Sequence, residues 1–507
     1  MNRPLSFFSA ILLPLLLFIQ GCTLNERSEN NCSPETLAKI NEVENNLQGW
    51  VQVGNTPAKW TLEERMKFYH ANGVSIAVIK GYKIEWAKGY GWADTAEQRP
   101  VTTATLFQAG SNSKALNAMG ILKLVQEGKL DLYTDINAYL KTWKFPYNSL
   151  SRGKKITLAN LLSHTAGFIV HGGDGYEQED EIPTLVQILN GEKPAKNKAV
   201  RSAYEPSLKY KYCNGGITIS QLIVQDVTGQ PYDEYMWENV LKPLGMTNSS
   251  FSQPPPKQKL SLLATGYYNS GKQVNGKYYI NPELAAGGLW TNPSELAQFV
   301  IETQLAFKGK SQKANNKEMT ALRLTPYKPS VCRSYFFYSK REQGLDSSNA
   351  LGLRVFTLNG SKYFSHGGIT EGFVSQFVGN LETGDGAVVM INSSNPSLFD
   401  EIINSIAQTY HWKNYYSPAI KNEITLSDII LESYVGTYTI ENSTFEIFRK
   451  KDGLYLDPAE DGYWKIHFTD STHFFLYEKD YDLNFLSDTA GKVSGFMING
   501  ERATKRK

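Results

Sequence analysis

The chain has 507 residues, too many for one small core, and this length predicts two folded units. Hydrophobic residues make up 41% and charged residues 20%, as in an ordinary globular protein. The net charge of +2 comes with no basic stripe, which excludes nucleic acid as a partner; the one basic cluster, Arg502, Lys505, Arg506 and Lys507, reads as a solvated tail.

The first element is an export signal over residues 1–21. Arg3 supplies a positive start, and Phe7 to Ile19 is an apolar run of 13 residues interrupted only by Ser9 and Pro14, too short to span a bilayer comfortably. It ends in Ile19-Gln20-Gly21-Cys22, which resembles the bacterial lipobox and implies lipidation of Cys22 as the new first residue. The expected address is the cell envelope, lipid-anchored on the periplasmic side. Thr23 stands where an inner-membrane retention Asp would be, which points to the outer membrane. Residues 22–59 read as a polar tether followed by a first helix.

Of the four cysteines, Cys22, Cys32, Cys213 and Cys332, lipidation of the first leaves three, so no disulfide scaffold is expected. The seven histidines are scattered, no His or Cys pair has ligand spacing, and no metal or cofactor is expected.

Gly73 to Ile79 predicts a strand, Gly81-Tyr82-Lys83 a turn and Ile84 to Ala87 a returning strand. Leu116, Met119, Leu122 and Val125 are spaced for a helix over Leu116–Glu127, stopped by Gly128; a second helix over Ile217–Thr228 is closed by Gly229. Strands follow at Leu353–Leu358, Phe373–Val378 and Ala387–Ile391, then a helix at Ile403–Trp412. Helices between early and late strands predict an α+β domain over residues 60–415, its sheet built from both chain ends. Lys413 to Leu426, containing Pro418, reads as a linker. Residues 425–507 hold short aromatic-rich strands between Asp, Gly and Lys turns, from Tyr434–Tyr438 to Val493–Phe496, and predict a small antiparallel all-β barrel or sandwich.

Three short motifs carry chemistry. In Gly110-Ser111-Asn112-Ser113-Lys114, the serine stands near a helix N-terminus and the lysine lies on the same face. A hydroxyl needs a base to become a nucleophile, and a buried lysine kept neutral can be that base. The helix N-terminus turns backbone N–H groups towards an oxyanion beside Ser111. Tyr212-Cys213-Asn214 opens the second helix; a phenol beside an ammonium can relay a proton, and the Asn214 amide can hold Lys114 and a substrate carbonyl. His366-Gly367-Gly368 precedes Ile369, and its glycines would let a strand edge approach a substrate.

These motifs, in this order, come with Leu161-Leu162-Ser163-His164-Thr165-Ala166-Gly167, Pro243-Leu244-Gly245-Met246 and Ala286-Gly287-Gly288-Leu289. Together they resemble the serine β-lactamase and penicillin-binding-protein superfamily over residues 60 to 412, nearest its class C branch of β-lactamases, D,D-peptidases, esterases and D-amino-acid peptidases. The resemblance implies an acyl-enzyme on Ser111, with Lys114 and Tyr212 as general base and acid, Tyr212 being the deacylation base. It implies that Asn214 positions Lys114 and substrate, that His366, Gly367 and Gly368 line the substrate site, and that the N–H groups of Ser111 and Ile369 form the oxyanion hole. His164 is read as a structural turn.

Two departures stand out. His366 replaces the lysine that binds a substrate carboxylate in typical members, which turns the expectation from β-lactams towards esters or peptides. Cys213 replaces the usual Ser or Ala. The expected function is a serine hydrolase of small esters or D-amino-acid peptides; the alternatives are a β-lactamase or D-alanyl-D-alanine carboxypeptidase, and an inactive envelope-binding relative. The expected partners are a small ester, peptide or β-lactam substrate and the membrane at Cys22. Nothing in the chain specifies an oligomeric state.

Overall fold

The early hairpin and the late strands meet in one sheet. In the computed structural model, residues 32–506 are described except 55–58, 171–172, 174, 330–347, 359, 414, 441–442, 458–462 and 482; the export segment, Cys22, Thr23 and Cys332 lie outside the described residues. The strands are β1 (Gly73–Lys80), β2 (Lys83–Asp94), β3 (Arg99–Pro100), β4 (Lys328–Pro329), β5 (Ser348–Asn349), β6 (Arg354–Leu358), β7 (Ser361–Thr370), β8 (Phe373–Asn380) and β9 (Gly386–Ile391). Their order is β3-β2-β1-β9-β8-β7-β6-β5-β4, antiparallel throughout. β1 pairs with β9, Ile76 opposite Val389, so the early and late segments of this domain meet inside one sheet.

Successive residues of these strands enter different cores. Val74, Ile76 and Val78 pack on one side with Val374, Val389 and Ile391; Ala77 and Ile79 pack on the other with Phe377, Val388 and Met390. Both faces are covered, which is why the strands read as continuous apolar runs. The first side is covered by α1 (Pro34–Glu44), α2 (Leu62–Phe68) and a late helix, Ser397–Thr409, through Ile40, Val43, Leu62, Leu398 and Ile402. Ser33 caps α1 by accepting from Thr36 N–H, and Pro34 follows where a missing donor costs nothing. The first helix is therefore packed into the core of the α+β domain.

The other side carries the helical insertion, with α3 (Ser113–Gln126), α4 (Leu158–Leu162), α5 (Asn214–Thr228) and α6 (Pro293–Phe307). Leu116, Met119 and Leu122 of α3 are fully buried, each worth on the order of 1.5–3 kcal/mol. Gly128 and Gly229 stop α3 and α5 in the left-handed conformation, at φ 71° in both cases. The late helix, α7, begins at Ser397, six residues before the predicted start at Ile403.

The C-terminal unit is a closed antiparallel barrel of eight strands. They are β10 (Gly436–Ile440), β11 (Ser443–Lys450), β12 (Gly453–Asp457), β13 (Trp464–Phe468), β14 (His473–Phe475), β15 (Leu483–Ser487), β16 (Val493–Ile498) and β17 (Glu501–Lys505). The sequence reading of a solvated basic tail is corrected here: Arg502 and Lys505 lie in β17, which pairs with β16 and closes the barrel onto β10. Arg502 and Thr504 point outwards, and Ala503 is fully buried inside. A strand needs only alternate apolar residues, so one inward Ala between polar neighbours suffices.

The barrel docks on the α2/α7 face. Arg65 of α2 donates to Glu401 at 2.6 and 2.7 Å and to Glu478 of the barrel at 3.2 Å, all three being buried. Tyr69 O–H donates to Glu401 at 2.6 Å, Lys479 pairs with Asp400 at 2.9 Å, and Val51 N–H donates to Tyr477 O at 3.1 Å. Among the described residues no helix is long and apolar enough to cross a membrane, and no group of three His, Cys, Asp or Glu could hold a metal.

Candidate active site

Ser111 lies in a single 3-10 turn, Gly110–Asn112, that feeds α3. Gly110 has φ 51°, and a Cβ there would sit 2.7 Å from the Ile369 nitrogen. Side chains fix the turn on two sides. Asn112 donates to Ser375 Oγ on β8 (2.8 Å), and Ser375 Oγ donates to Ala109 O (2.9 Å). Ser113 Oγ donates to Gly110 O (2.6 Å) and accepts from Leu289 N–H (3.1 Å). The strand pair Phe107–Gln108 with Trp290–Thr291 draws the segment around Ala286 against the same turn.

Lys114 is one helical turn beyond Ser111 and fully buried. Its Nζ donates to Ser111 Oγ at 2.9 Å and to Ala286 O at 2.7 Å. Burial lowers the amine to about 7, a shift that Cys213 and Glu283 oppose only partly. Tyr212 O–H donates to Ser111 Oγ at 2.8 Å, and Lys114 Nζ stands 5.0 Å from the Tyr212 ring centre. Two proton-carrying groups thus converge on one hydroxyl oxygen within hydrogen-bond reach, the geometry that nucleophile activation needs.

β7 brings the third motif. A Cβ on Gly368 would overlap the carbonyl oxygen of Ala109, so only glycine lets β7 lie against the serine turn. Thr370 and Phe373 flank a two-residue turn; ladder bonds alternate, so the next pair, Ile369 with Val374, does not carry them. β6 pairs with β7 only from Ser361 to Ser365. The Ile369 N–H therefore faces the serine side of β7.

His366 Nδ1 lies 2.6 Å from Gly367 O; a carbonyl only accepts, so Nδ1 carries the proton. Burial, reinforced by the nearby Lys114 charge, lowers His366 to about 3, and the imidazole is neutral at physiological pH.

Asn214 opens α5, its carbonyl accepting from Thr218 Oγ1 at 3.1 Å. The carbonyl that takes the second hydrogen bond of Lys114 is that of Ala286, the first residue of Ala286-Gly287-Gly288-Leu289. A backbone oxygen leaves no signature in residue type. Cys213 is buried, donates from Sγ to Val170 O at 2.8 Å and has its thiol pushed up to about 11 by burial; it packs as a small apolar residue. His164 lies against Tyr212, ring centres 4.4 Å apart. The barrel's contacts with Arg65, Asp400 and Glu401 are on the sheet face away from Ser111.

Comparison with known proteins places this geometry. The Beta-lactamase family model matches residues 60–410. Protein flp of Staphylococcus aureus (strain N315) is 28% identical over 351 residues, 68% of this chain; the chain spans 65% of that protein's length. The putative penicillin-binding protein PbpX of Bacillus subtilis (strain 168) is 28% identical over 327 residues, 62% of this chain and 77% of PbpX. Among solved structures, the octameric penicillin-binding protein homologue from Pyrococcus abyssi superposes with a TM-score of 0.59 at 22% identity, covering 88% of this chain and 98% of that one. D-amino acid amidase from Ochrobactrum anthropi gives 0.53 at 21% identity, covering 69% and 97%. The α+β domain followed by a barrel, with a family match over most of the chain, places this chain in the Beta-lactamase family, within the serine β-lactamase and penicillin-binding-protein superfamily.

Proposed function

We propose that the protein hydrolyses small uncharged esters, or peptides of D-amino acids, through an acyl-enzyme on Ser111. The observation that carries this reading is the convergence of Lys114 Nζ (2.9 Å) and Tyr212 O–H (2.8 Å) on Ser111 Oγ. With the Lys114 amine neutral, Oγ attacks the acyl carbon and its proton passes to Nζ. The N–H groups of Ser111 and Ile369 receive the oxyanion, each such donor being worth about 3 kcal/mol in the transition state. The leaving alkoxide or amine takes the phenol proton of Tyr212 as the tetrahedral species collapses, leaving a phenolate beside the Lys114 ammonium. The Tyr212 phenolate then removes a proton from water, the resulting hydroxide attacks the acyl carbon, and the expelled Ser111 oxygen takes its proton back from Lys114 Nζ.

The substrate preference rests on His366. A neutral imidazole offers a hydrogen-bonding edge and no fixed charge for a carboxylate, which favours neutral esters and amides over β-lactams. The β-lactamase or carboxypeptidase reading would require a cation at this position.

The test is intact mass after exposure to a fluorophosphonate and, separately, to a penicillin, for the protein and for Ser111→Ala. One adduct from the fluorophosphonate, absent in the variant, is expected. A lasting or turning-over penicilloyl adduct would move the assignment to β-lactams, and no adduct from either reagent would favour a binding protein.

We also propose export and anchoring in the envelope through a lipid on Cys22, supported by the apolar run and Gly21-Cys22. Membrane partition of the full chain in its host, lost in Cys22→Ala, is the expected result.

A further inference from the structure

We infer that His164 is the positioning residue for Tyr212, holding its phenol on Ser111; this rests on the reading of Tyr212 as a proton carrier. Three contacts converge on His164. Lys211 N–H donates to His164 O at 2.9 Å, and Cys213 N–H donates to His164 Nδ1 at 3.2 Å. Between these two anchors, the Tyr212 ring lies over the imidazole, centroids 4.4 Å apart and planes tilted by 32°. In an extended segment, N–H groups two residues apart point the same way, and Cys213 is extended at φ −154°, ψ 116°. One residue thus grips the backbone on both sides of Tyr212 and the face of its ring.

The grip is itself rigid. His164 follows α4, whose capping box is Thr157 with Asn160. Asn160 O accepts from Thr165 N–H at 2.9 Å and its amide donates to Thr165 Oγ1 at 3.0 Å, so the residue after His164 is tied back to the helix. His164 has φ 57°, a conformation that Gly and Asn take more readily. A strained histidine held by its surroundings points to a use for its side chain. Because a backbone N–H can only donate, Nδ1 is the acceptor and the proton of the neutral ring is on Nε2. Losing either the acceptor or the ring leaves the segment one contact short, and the distance from the phenol to Ser111 Oγ is what loosens.

The experiment compares His164→Ala, His164→Asn and His164→Phe, alone and with Tyr212→Phe, by kcat and KM on a p-nitrophenyl ester and by the rate of fluorophosphonate labelling. His164→Ala is expected to lower kcat about 100-fold, the effect of a misplacement near 1 Å, with KM within about threefold. Asn keeps an acceptor near the Nδ1 position and suits the backbone, and it is expected to recover most of the loss. Phe keeps the ring alone and should recover less. With Tyr212→Phe already present, His164→Ala should cost less than about threefold, because residues acting through one group are not additive. Equal losses with and without the Tyr212 hydroxyl, or a change in KM alone, would overturn the positioning role. A Tyr212→Phe variant as active as the parent would overturn the reading of Tyr212 itself, and the His164 role with it. Should His164→Ala not fold, the Asn and Phe variants carry the same comparison.

Discussion

Two buried cations sit on opposite faces of the sheet, and the protein treats them in opposite ways. Arg65, at the joint with the barrel, is met by Glu401 and Glu478 and accepts the ring faces of Trp60 and Phe68 at 4.0 and 4.2 Å. Burial alone would lower its affinity for a proton, but the carboxylates raise it, so its charge is permanent. Lys114 is held by a hydroxyl and a carbonyl, the Glu283 carboxylate offsets its burial only partly, and the amine comes down to about 7. The same desolvation makes a fixed joint where counter-charges outweigh it and a group able to take up a proton near neutrality where they do not.

The largest effect should come from removing the oxygen on which the catalytic side depends: Ser111→Ala is expected to lower kcat by about 10⁶-fold, while its urea midpoint stays near that of the parent. At the joint, Arg65→Met leaves Glu401 and Glu478 buried without their cation. It is expected to cost about 3–5 kcal/mol of stability in urea unfolding, with labelling of Ser111 intact in the folded fraction. A loss of labelling with no loss of stability would erase the contrast between the two sites. Gly368→Ala, whose methyl would overlap Ala109 O, should push β7 off the serine turn and cost about 3 kcal/mol in kcat/KM through the Ile369 N–H proposed as an oxyanion donor.

The smallest effect is in pH. A base of about 7 predicts that kcat/KM on a neutral ester falls tenfold per unit as pH drops below about 7. His366, at about 3, does not share that limb. The sign for stability follows from the same residue. Its folded value lies below the ordinary 10.5, so between about 7 and 10.5 the unfolded chain binds more protons, and the Lys114 contribution to stability rises with pH across that window. Arg65 should add no such slope. A flat activity profile from pH 5 to 8 would rule Lys114 out as the base.

What could be read from the sequence was chemistry carried by side chains. Ser111, Lys114 and Tyr212 announce themselves by residue type, and the structure brings Lys114 Nζ and Tyr212 O–H to 2.9 and 2.8 Å from Ser111 Oγ. The Ala286 carbonyl, 172 residues from Lys114, does not, nor does the Asn112–Ser375 bond. His164 was legible as a turn but not as a clasp, because two of its three contacts involve backbone groups of residues around 212. In the barrel, seven strands were legible from alternating aromatics, and the eighth was hidden because its charged residues face outwards around a single Ala503.

The bond from Asn112 to Ser375 spans 263 positions of the chain. Contacts of such separation form late in folding, after the costly closure of long loops. Until β7 and β8 have both been made and docked, the turn bearing Ser111 has no strand to hold it and no Ile369 N–H beside it. On the proposed mechanism, an unfinished or misfolded copy of this protein is therefore chemically inert: its serine becomes reactive only when most of the polypeptide has been assembled around it.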